Sequence, residues 1–310
     1  MFDLQNKSLN LADCLDILIE LYRSGKREFI DLIYIDHPFN SNRIYNVPFE
    51  GGELSEKAFV DTWSRVAYHD QLDMISKISP VLYKFLISLE QTNIPKSYIT
   101  YLTVMGIRVF FMRELLKPTG SFYYHCDPTA SHYVKMMLDM IFGMENFRNE
   151  IVWHYPGRGG AGNFFSNKHD IILYFSKSNN YIFNKDPIRI PPNPRAIDPK
   201  NFAKNDIRRI DPSKINTKGK IPETVWSDIT ILKGRCEERL GYPTQKPEKL
   251  LERIILVSSN EGDLVLDPFN GGGTTCVAAK SLGRNYIGID ISKDSIDYTN
   301  RRLQQTLLKI

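Results

Sequence analysis

The chain has 310 residues, of which 42% are hydrophobic and 25% are charged, ordinary values for a globular protein with a sizeable core. Its formal net charge of +4 permits a polyanionic partner without identifying one. The four scattered cysteines form no CxxC pair, which predicts reduced thiols and no metal site. The N-terminus lacks a signal pattern and no apolar run reaches membrane-spanning length, so we expect a soluble, cytoplasmic protein without membrane contact.

The first half of the chain alternates segments of helical periodicity with short runs of β-forming residues. Helices are predicted over 13–27, 96–116 and 131–142. Strands are predicted over 31–36, 121–126 and 171–175. Asn, Pro and Gly over 40–55 predict a loop, and Lys-Pro-Thr-Gly at 117–120 predicts the end of the second helix.

The segment from about 185 to 222 differs in composition from its surroundings. It holds seven prolines and ten lysines or arginines against four aspartates, which excludes a regular helix or a central strand. We predict an irregular, basic insertion there. Composition alone would favour a solvated linker, so that alternative stays open.

Beyond Pro247 the pattern becomes regular again. Helices are predicted over 248–258, 274–282 and 292–308, the last with Ser292 as its N-cap. Strands are predicted over 263–267 and 286–290, and a glycine-rich turn over 270–273. This β-α-β-α order is typical of a parallel, doubly wound sheet.

The glycine-rich turn identifies a candidate cofactor loop, because ligands bind at the carboxyl ends of strands in such sheets. A P-loop requires Lys after the glycines, but Gly273 is followed by two threonines. A dinucleotide fingerprint requires glycine at Cys276, and Asp267 would repel a pyrophosphate. S-adenosylmethionine, which is cationic and has no phosphate, fits better, with Asp290 placed for ribose hydroxyls. A turn without ligand and an NAD-dependent enzyme are the alternatives.

A second constellation follows the early strand, where Asp36 precedes His37, Pro38 and Phe39. The exocyclic amine of a nucleobase is a poor nucleophile because its lone pair is delocalised into the ring. The carboxylate of Asp36 and the backbone carbonyl of His37 would accept its two N–H bonds and localise that lone pair. Phe39 would stack on a base flipped out of the duplex. Taken alone, this tetrapeptide is more often a turn cap followed by a core aromatic residue.

Together these segments resemble the β-class of DNA amino-methyltransferases of restriction-modification type, in which the catalytic tetrapeptide precedes a variable region and the cofactor loop. The resemblance covers nearly the whole chain, at 12–15, 31–46, 119–127, 149–153, 242–247, 267–275 and 287–290. It implies a Rossmann-like, doubly wound, mostly parallel sheet of the S-adenosylmethionine-dependent methyltransferase type, in circularly permuted order and with a small recognition insertion.

The resemblance also implies roles in cofactor binding. Asp13 would contact the adenine edge, residues 244–247 would cover the methionine moiety, the glycine-rich turn would cradle it, and Asp290 would hold the ribose. The implied cofactor-binding residues are Asp13, Cys14, Thr244, Gln245, Lys246, Pro247, Asp267, Pro268, Phe269, Gly271, Gly273, Thr274 and Asp290.

Double-stranded DNA is the implied partner, with a cognate restriction endonuclease and a homodimer as further predicted partners. Residues 1–155 and 241–310 would form the methyltransferase domain, and 156–240 the target-recognition region. The predicted DNA contacts are Arg158, Lys168, Arg195, Lys204, Arg208 and Arg209. A solvated loop is the alternative for each of them.

Asp at the first position of the tetrapeptide favours N6 of adenine, since the resemblance associates Ser there with N4 of cytosine. The family normally has Pro where this chain has His37, so the rigidity of a ring is lost and the His side chain would crowd the base pocket. Site-specific adenine-N6 methylation of DNA is the leading prediction. Cytosine-N4 methylation and a catalytically weakened DNA-binding relative are the alternatives. His125 and His132 are predicted to be structural, because no matching ligand set accompanies them.

Overall fold

The fold rests on an eight-stranded sheet that the described residues form, with helices packed on both of its faces. The structure is a computed structural model that describes residues 7–37, 44–48, 54–60, 66–157, 162–163, 165–192, 218–232, 236, 238, 242 and 244–307. No helix among these residues is both long and apolar enough to cross a membrane.

Strands and helices alternate along most of the chain. The strands are β1 (Ser8–Leu11), β2 (Ile30–Ile35), β3 (Ile44–Pro48), β4 (Leu54–Val60), β5 (Leu116–Cys126), β6 (Phe147–His154), β7 (His169–Ser176), β8 (Val225–Trp226), β9 (Leu264–Asp267) and β10 (Asn285–Asp290). The helices are α1 (Cys14–Arg23), α2 (Val66–Ile78), α3 (Pro80–Glu90), α4 (Lys96–Leu115), α5 (Ser131–Phe142), α6 (Glu248–Ser258), α7 (Thr274–Ser281) and α8 (Lys293–Leu307).

The main sheet has the strand order β1-β10-β9-β2-β5-β7-β6-β8. The first five strands in this order are mutually parallel, β7 is antiparallel to both of its neighbours, and β8 is parallel to β6. Strands β3 and β4 pair with each other as a separate antiparallel hairpin. The mostly parallel sheet confirms the predicted fold class.

Strand β2 shows why the apolar run at 31–36 predicted a strand. All six of its residues are buried. Side chains alternate across a strand, so Ile33 and Ile35 face the core that α1 to α5 cover, whereas Leu32 and Tyr34 face the core beneath α6 and α7. A strand covered on both faces has a nearly continuous apolar sequence, as parallel strands generally do.

Strands from the early and late parts of the chain are neighbours in the sheet. Strand β1 pairs with β10, with Leu11 opposite Asp290, and β2 pairs with β9, with Ile33 opposite Leu266. These pairings bring the carboxyl ends of two early and two late strands to the same edge.

Two predictions about irregular segments are wrong. The predicted loop over 40–55 contains β3 and the start of β4, where register shifts accommodate the residues that predicted a loop. The predicted helix stop at 117–120 lies inside β5. There the pairing with β2 shifts register between Leu116 and Ser121, and this irregularity absorbs the Lys-Pro-Thr-Gly sequence within a strand.

The predicted basic insertion is irregular wherever it is described. Residues 185–192 and 218–222 contain an isolated bridge between Ile190 and Lys220 but no helix or strand, and 193–217 lie outside the described residues. The wider range 156–240 also includes β7, an inner strand of the main sheet.

We expect Gly288→Ala to destabilise the protein by about 1 to 3 kcal/mol, because overpacking beneath the glycine-rich turn forces its neighbours to move. A Cβ at Gly288 would lie 2.6 Å from Asn270 Oδ1 and 2.9 Å from Cys276 Sγ. Urea denaturation followed by tryptophan fluorescence measures the change. Gly157→Ala is the matched control, since its Cβ would meet the mobile ammonium of Lys168. Equal stability of the two variants would contradict the close packing described here.

Candidate functional site

Four carboxylates gather at the carboxyl edge of the parallel strands. Asp290 ends β10, Asp267 ends β9, Asp36 follows the last residue of β2, and Asp13 lies just beyond β1. The negative charges of Asp36 and Asp290 both raise the pKa of Asp267, which shows that the three groups share one electrostatic environment. The structure therefore brings the early acid beside the late glycine-rich turn, as expected.

The glycine-rich turn is shaped by hydrogen bonds to its backbone. The amide of Gly271 donates to Asp290 Oδ2 at 2.8 Å, and the hydroxyl of Ser295 donates to the carbonyl of Gly271 at 2.7 Å. Gly273 has a φ of 72°, and a Cβ there would lie 2.3 Å from Thr299 Oγ1. Both the left-handed backbone and the close approach of α8 require glycine at this position.

Arg302, on α8, also holds this turn, and the sequence analysis missed it. Its buried guanidinium donates to the carbonyl of Gly272, to Thr274 Oγ1 at 3.1 Å and to Glu248 Oε1 at 2.7 Å. One planar group thus connects the turn with the starts of α6 and α7. No local sequence pattern in the amphipathic helix α8 indicates that this arginine contacts the turn.

Asp267 is a buried carboxylate with an altered proton affinity. Burial, together with the charges of Asp36 and Asp290, raises its pKa from 3.8 to about 7, although hydrogen bonds from Thr275 and the amide of Phe269 act in the opposite direction. A cation bound next to this group would remove much of the cost of its ionisation. The edge is therefore suited to a positively charged ligand.

Asp290 and Asp13 are both engaged by the protein itself. Asp290 accepts from the amides of Gly271 and Ser292, at 2.8 Å each, and burial raises its pKa. Asp13 caps α1 by accepting from Leu15 N at 2.9 Å, and both of its oxygens lie 2.9 Å from a nitrogen of the buried Arg108. Each carboxylate is thus fixed in direction before any ligand arrives.

The neighbouring Cys14 is buried, and burial raises the pKa of its thiol to about 12. A protonated, enclosed thiol is a packing group and not a nucleophile. Cys14, which the resemblance implies as a cofactor-binding residue, therefore lies near Asp13 and Asp290 as a packing group and not as a reactive sulfur.

The segment at 244–247 reaches the carboxyl edge of the parallel strands through Lys246. Its ammonium lies 2.5 Å from Asp36 Oδ2, and its carbonyl accepts from Thr274 Oγ1 at 3.2 Å. Gln245 Nε2 donates to the carbonyl of Glu238 at 2.7 Å, while Pro247 directly precedes α6. Lys246 was predicted to cover a cofactor, and the structure adds an ion pair with Asp36 that the sequence did not indicate.

His37 does not crowd the site, so that expectation is wrong. Because side chains alternate along the strand direction, His37 faces the side opposite to Asp36 and is only 2% exposed. Its Nε2 is hydrogen-bonded to the hydroxyl of Tyr101 and lies 3.2 Å from that of Tyr124. Burial lowers its pKa well below the usual value, so the ring is neutral. These contacts hold His37 in place without the ring of a proline. Pro38 and Phe39 lie outside the described residues.

His125 lies beside Asp36, although it was predicted to be a purely structural residue. Strand β5 neighbours β2, and the Nδ1 of His125 is 3.9 Å from Asp36 Oδ1 and 2.7 Å from the hydroxyl of Tyr34. Its Nε2 is 3.1 Å from Asp170 Oδ2, and Asp170 also accepts from the hydroxyl of Tyr155 at 3.0 Å. The available signal was its place at the end of the strand predicted over 121–126.

The predicted DNA contacts fall mostly outside the described residues, as Arg158, Arg195, Lys204, Arg208 and Arg209 all do. Lys168 is described, is partly exposed, and accepts at its carbonyl from Tyr155 N at 3.0 Å. No group of three His, Cys, Asp or Glu side chains in the described part of the chain is arranged to hold a metal ion.

Comparison with known proteins identifies related families and folds. A model of the N6_N4_Mtase family, described as DNA methylase, matches residues 30–301. The chain is 37% identical over 191 residues to the type II methyltransferase M.HpaI of Haemophilus parainfluenzae, a match that covers 61% of this chain and 55% of that protein. It is 36% identical over 192 residues to the DNA adenine methyltransferase YhdJ of Escherichia coli K12, covering 61% of this chain and 62% of that protein. The chain thus spans less than two thirds of the length of these relatives.

The fold is also similar to that of a solved structure, the complex of M1.HpyAVI with SAM. The TM-score is 0.54 at 19% identity, and the match covers 96% of this chain and 98% of the other. At this level of sequence identity the similarity shows a shared fold and nothing further.

We expect Asp267→Asn to be more stable than the wild-type protein above about pH 7, by on the order of 3 kcal/mol, and to differ little from it near about pH 4. The folded-state pKa of Asp267, about 7, exceeds its ordinary value of 3.8. The folded protein therefore binds the additional proton between these values, and its free energy of unfolding falls as the pH rises through that window. Urea denaturation of both proteins across this range measures the difference. A difference that does not change with pH would show that Asp267 has an ordinary pKa.

Proposed function

This chain belongs to the DNA methylase family, and we propose that it transfers a methyl group from S-adenosylmethionine to an exocyclic amino group of a base in DNA, at N6 of adenine within a specific site. The observation that carries this proposal is the parallel pairing of β2 with β9, which sets Asp36 beside Asp267 and its glycine-rich turn. An acceptor for amine hydrogens and an acidic cofactor cleft then share one edge of the sheet.

The residues at this edge suit S-adenosylmethionine. Asp267 and Asp290 are buried or partly buried carboxylates, and the raised pKa of Asp267 indicates a site that a cation would stabilise. A Cβ at Gly271 would make only ordinary contacts, at 3.7 Å from the carbonyl of Phe269 and from the ring of Tyr242, and its absence lets a ligand approach the backbone closely. When bound, the cofactor supplies an electrophilic methyl group next to its sulfonium.

Asp36 is the group that would activate the amine. Its carboxylate would accept one N–H of the base, and the backbone carbonyl of His37 would accept the other, which concentrates the lone pair on the nitrogen. The contacts of His37 with Tyr101 and Tyr124 anchor its side chain and would limit the movement of its backbone, in place of the rigidity that proline supplies in the family. These contacts support an active enzyme over a catalytically weakened relative.

The ammonium of Lys246 donates to Asp36 Oδ2 at 2.5 Å and holds that oxygen in place. Since Asp36 Oδ2 is the oxygen engaged, Asp36 Oδ1 faces the remaining space next to His125. Lys246 would thus fix the carboxylate of Asp36 by one oxygen before a base enters, while the other oxygen would face the substrate.

Adenine is the favoured base on two grounds. The tetrapeptide starts with Asp, which the resemblance associates with adenine, and the similar protein YhdJ is named a DNA adenine methyltransferase. The family model covers both N6 and N4 methylases, so N4 of cytosine is the alternative target.

The target-recognition region is proposed within 156–240, in the irregular parts on either side of β7. Double-stranded DNA is the proposed substrate, with Arg158, Lys168, Arg195, Lys204, Arg208 and Arg209 as phosphate or base contacts. A restriction endonuclease and a second copy of this chain are proposed partners on the strength of the resemblance.

The purified protein should transfer tritiated methyl groups from S-adenosylmethionine to duplex DNA, and Asp36→Ala should lose at least about 100-fold in kcat. Asp73→Ala is a suitable control, since Asp73 is an exposed residue of α2 paired with Lys77. Digestion of the product and mass spectrometry of its nucleosides should yield N6-methyladenine.

Absence of transfer by the wild-type protein on DNA of diverse sequence would refute the proposed activity. Transfer that yields only N4-methylcytosine would refute the choice of base but not the reaction class. Full activity of Asp36→Ala would show that the catalytic acid lies elsewhere.

The affinity for S-adenosylmethionine should rise from about pH 5.5 to about pH 7, because a cationic ligand binds best when Asp267 is ionised. Asp267→Asn should weaken binding by about 10- to 100-fold near neutral pH and abolish this dependence. Isothermal titration calorimetry measures both effects. Asp263→Asn, at the opposite end of β9, serves as the control. An affinity of Asp267→Asn equal to that of the wild-type protein would exclude Asp267 from the cofactor site.

A further inference from the structure

Two carboxylates flank a buried imidazole on one face of the sheet. Asp36 Oδ1 lies 3.9 Å from His125 Nδ1, and Asp170 Oδ2 lies 3.1 Å from His125 Nε2. The imidazole is fully buried, whereas the side chains of Asp36 and Asp170 are 18% and 15% exposed. A ring between two acids is an arrangement that stabilises a proton arriving on it.

The register of the sheet explains why these groups meet. His125 of β5 lies opposite Ile172 of β7, and Asp170 is two residues from Ile172, so both side chains point to the same face. Tyr34 and Asp36 share that face on the β2 side. His37, whose position alternates with that of Asp36, lies on the other face, but burial and then the charges of His125 and Lys246 lower its pKa, so it is a neutral neighbour of this cluster.

Asp170 determines which nitrogen of His125 is protonated. Hydrogen bonds from His125 and Tyr155 hold the pKa of Asp170 below its usual value despite burial, so Asp170 is an ionised acceptor. His125 Nε2 must then carry the hydrogen that is donated to it. The other nitrogen, Nδ1, is left as an acceptor directed toward Asp36 and the hydroxyl of Tyr34.

Charged and polar groups on the neighbouring elements determine the electrostatic environment of His125. From β2 and its end come Tyr34, which stays protonated because burial raises its pKa, and Asp36. From β7 comes Asp170, and Lys246 acts from the segment before α6. The uncharged edge of Trp153 in β6 packs against the ring, with centroids 5.7 Å apart.

We propose that His125 takes up the proton that the amino group of the base releases on methylation, acting through Asp36. This inference rests on the proposed methyltransferase function. The nitrogen forms its bond to the methyl carbon as the carbon–sulfur bond breaks, and an N–H of the product ammonium is then lost to Asp36. The O–H bond formed on Asp36 breaks as His125 Nδ1 gains the proton, which yields an imidazolium between two carboxylates. Once the methylated base has left, the proton returns through Asp36 to water.

The ion pair between Lys246 and Asp36 supplies the driving force for the second transfer. A protonated Asp36 would lose its attraction to an ammonium 2.5 Å away, and passing the proton to His125 restores it. Asp170 compensates the imidazolium charge at 3.1 Å. To accept the proton, the imidazole moves by about an ångström, from 3.9 Å to hydrogen-bond distance of Asp36. The hydroxyl of Tyr34, which donates to the same Nδ1 at 2.7 Å, turns away as the proton arrives.

The pH dependence of kcat tests this role. In the wild-type protein kcat should fall at low pH, because His125 must be neutral at the start of each turnover. His125→Gln should lower kcat by about 100-fold and remove this fall, with the KM for S-adenosylmethionine unchanged. Asp170→Asn should move the fall to lower pH, since the imidazolium loses its carboxylate partner. His132→Gln, an exposed histidine of α5, should retain the wild-type profile.

A His125→Gln protein with the wild-type kcat and pH profile would overturn the proposal. A His125→Gln protein that loses affinity for S-adenosylmethionine in proportion to kcat would overturn it as well. If His125→Gln does not fold, Asp170→Asn decides, and an unshifted profile in that variant would overturn the proposal. Failure of the wild-type protein to methylate DNA would refute the proposed function and this inference together, whereas an active wild-type protein with unshifted variants refutes the inference alone.

Discussion

The parallel pairing of β2 with β9 is the constraint on which the rest of the site depends. Opposite Ile33 lies Leu266, so Tyr34 comes level with Asp267 at the end of β9, and Asp36 lies two residues farther along on the same face. A shift of one residue in this register would send Asp36 to the other face of the sheet. The burial of every residue of β2 against two cores makes such a shift costly, because it would exchange apolar side chains between differently shaped environments.

The edge created by this pairing concentrates negative charge, and the protein holds that charge in place with fixed donors. Backbone amides of the glycine-rich turn satisfy Asp290, Arg108 satisfies Asp13, and Lys246 satisfies Asp36. Asp267 receives a backbone amide but no cation within salt-bridge distance among the described residues, and its pKa is correspondingly raised. The four carboxylates therefore differ in how fully nearby donors and cations offset their negative charge. Asp267 is offset least, so a bound cation would be stabilised most beside it.

Local sequence patterns predicted the segments whose structure depends on near neighbours. The helices Ser131–Phe142 and Glu248–Ser258 and the β-α-β order around the glycine-rich turn follow from periodicity, capping and glycine placement. The strand β1 was missed, since four residues that pair only with β10 at the far end of the chain have no periodic signal. The ion pair of Lys246 with Asp36, 210 residues apart, and the hydrogen bond of His125 with Asp170 were missed for the same reason. The orientation of His37 depends on Tyr101 and Tyr124, which a tetrapeptide motif does not include.

The interleaving of early and late strands has a consequence for synthesis of the protein on the ribosome. While the chain grows, β2 has β5 as its neighbour on one side, but its other side stays open until β9 has been made. Because β9 begins at Leu264, most of the polypeptide must emerge before that edge is closed. Nascent chains released early would expose the edge of an apolar strand and lack the carboxylates that β9 and β10 contribute, so incomplete products are prone to association.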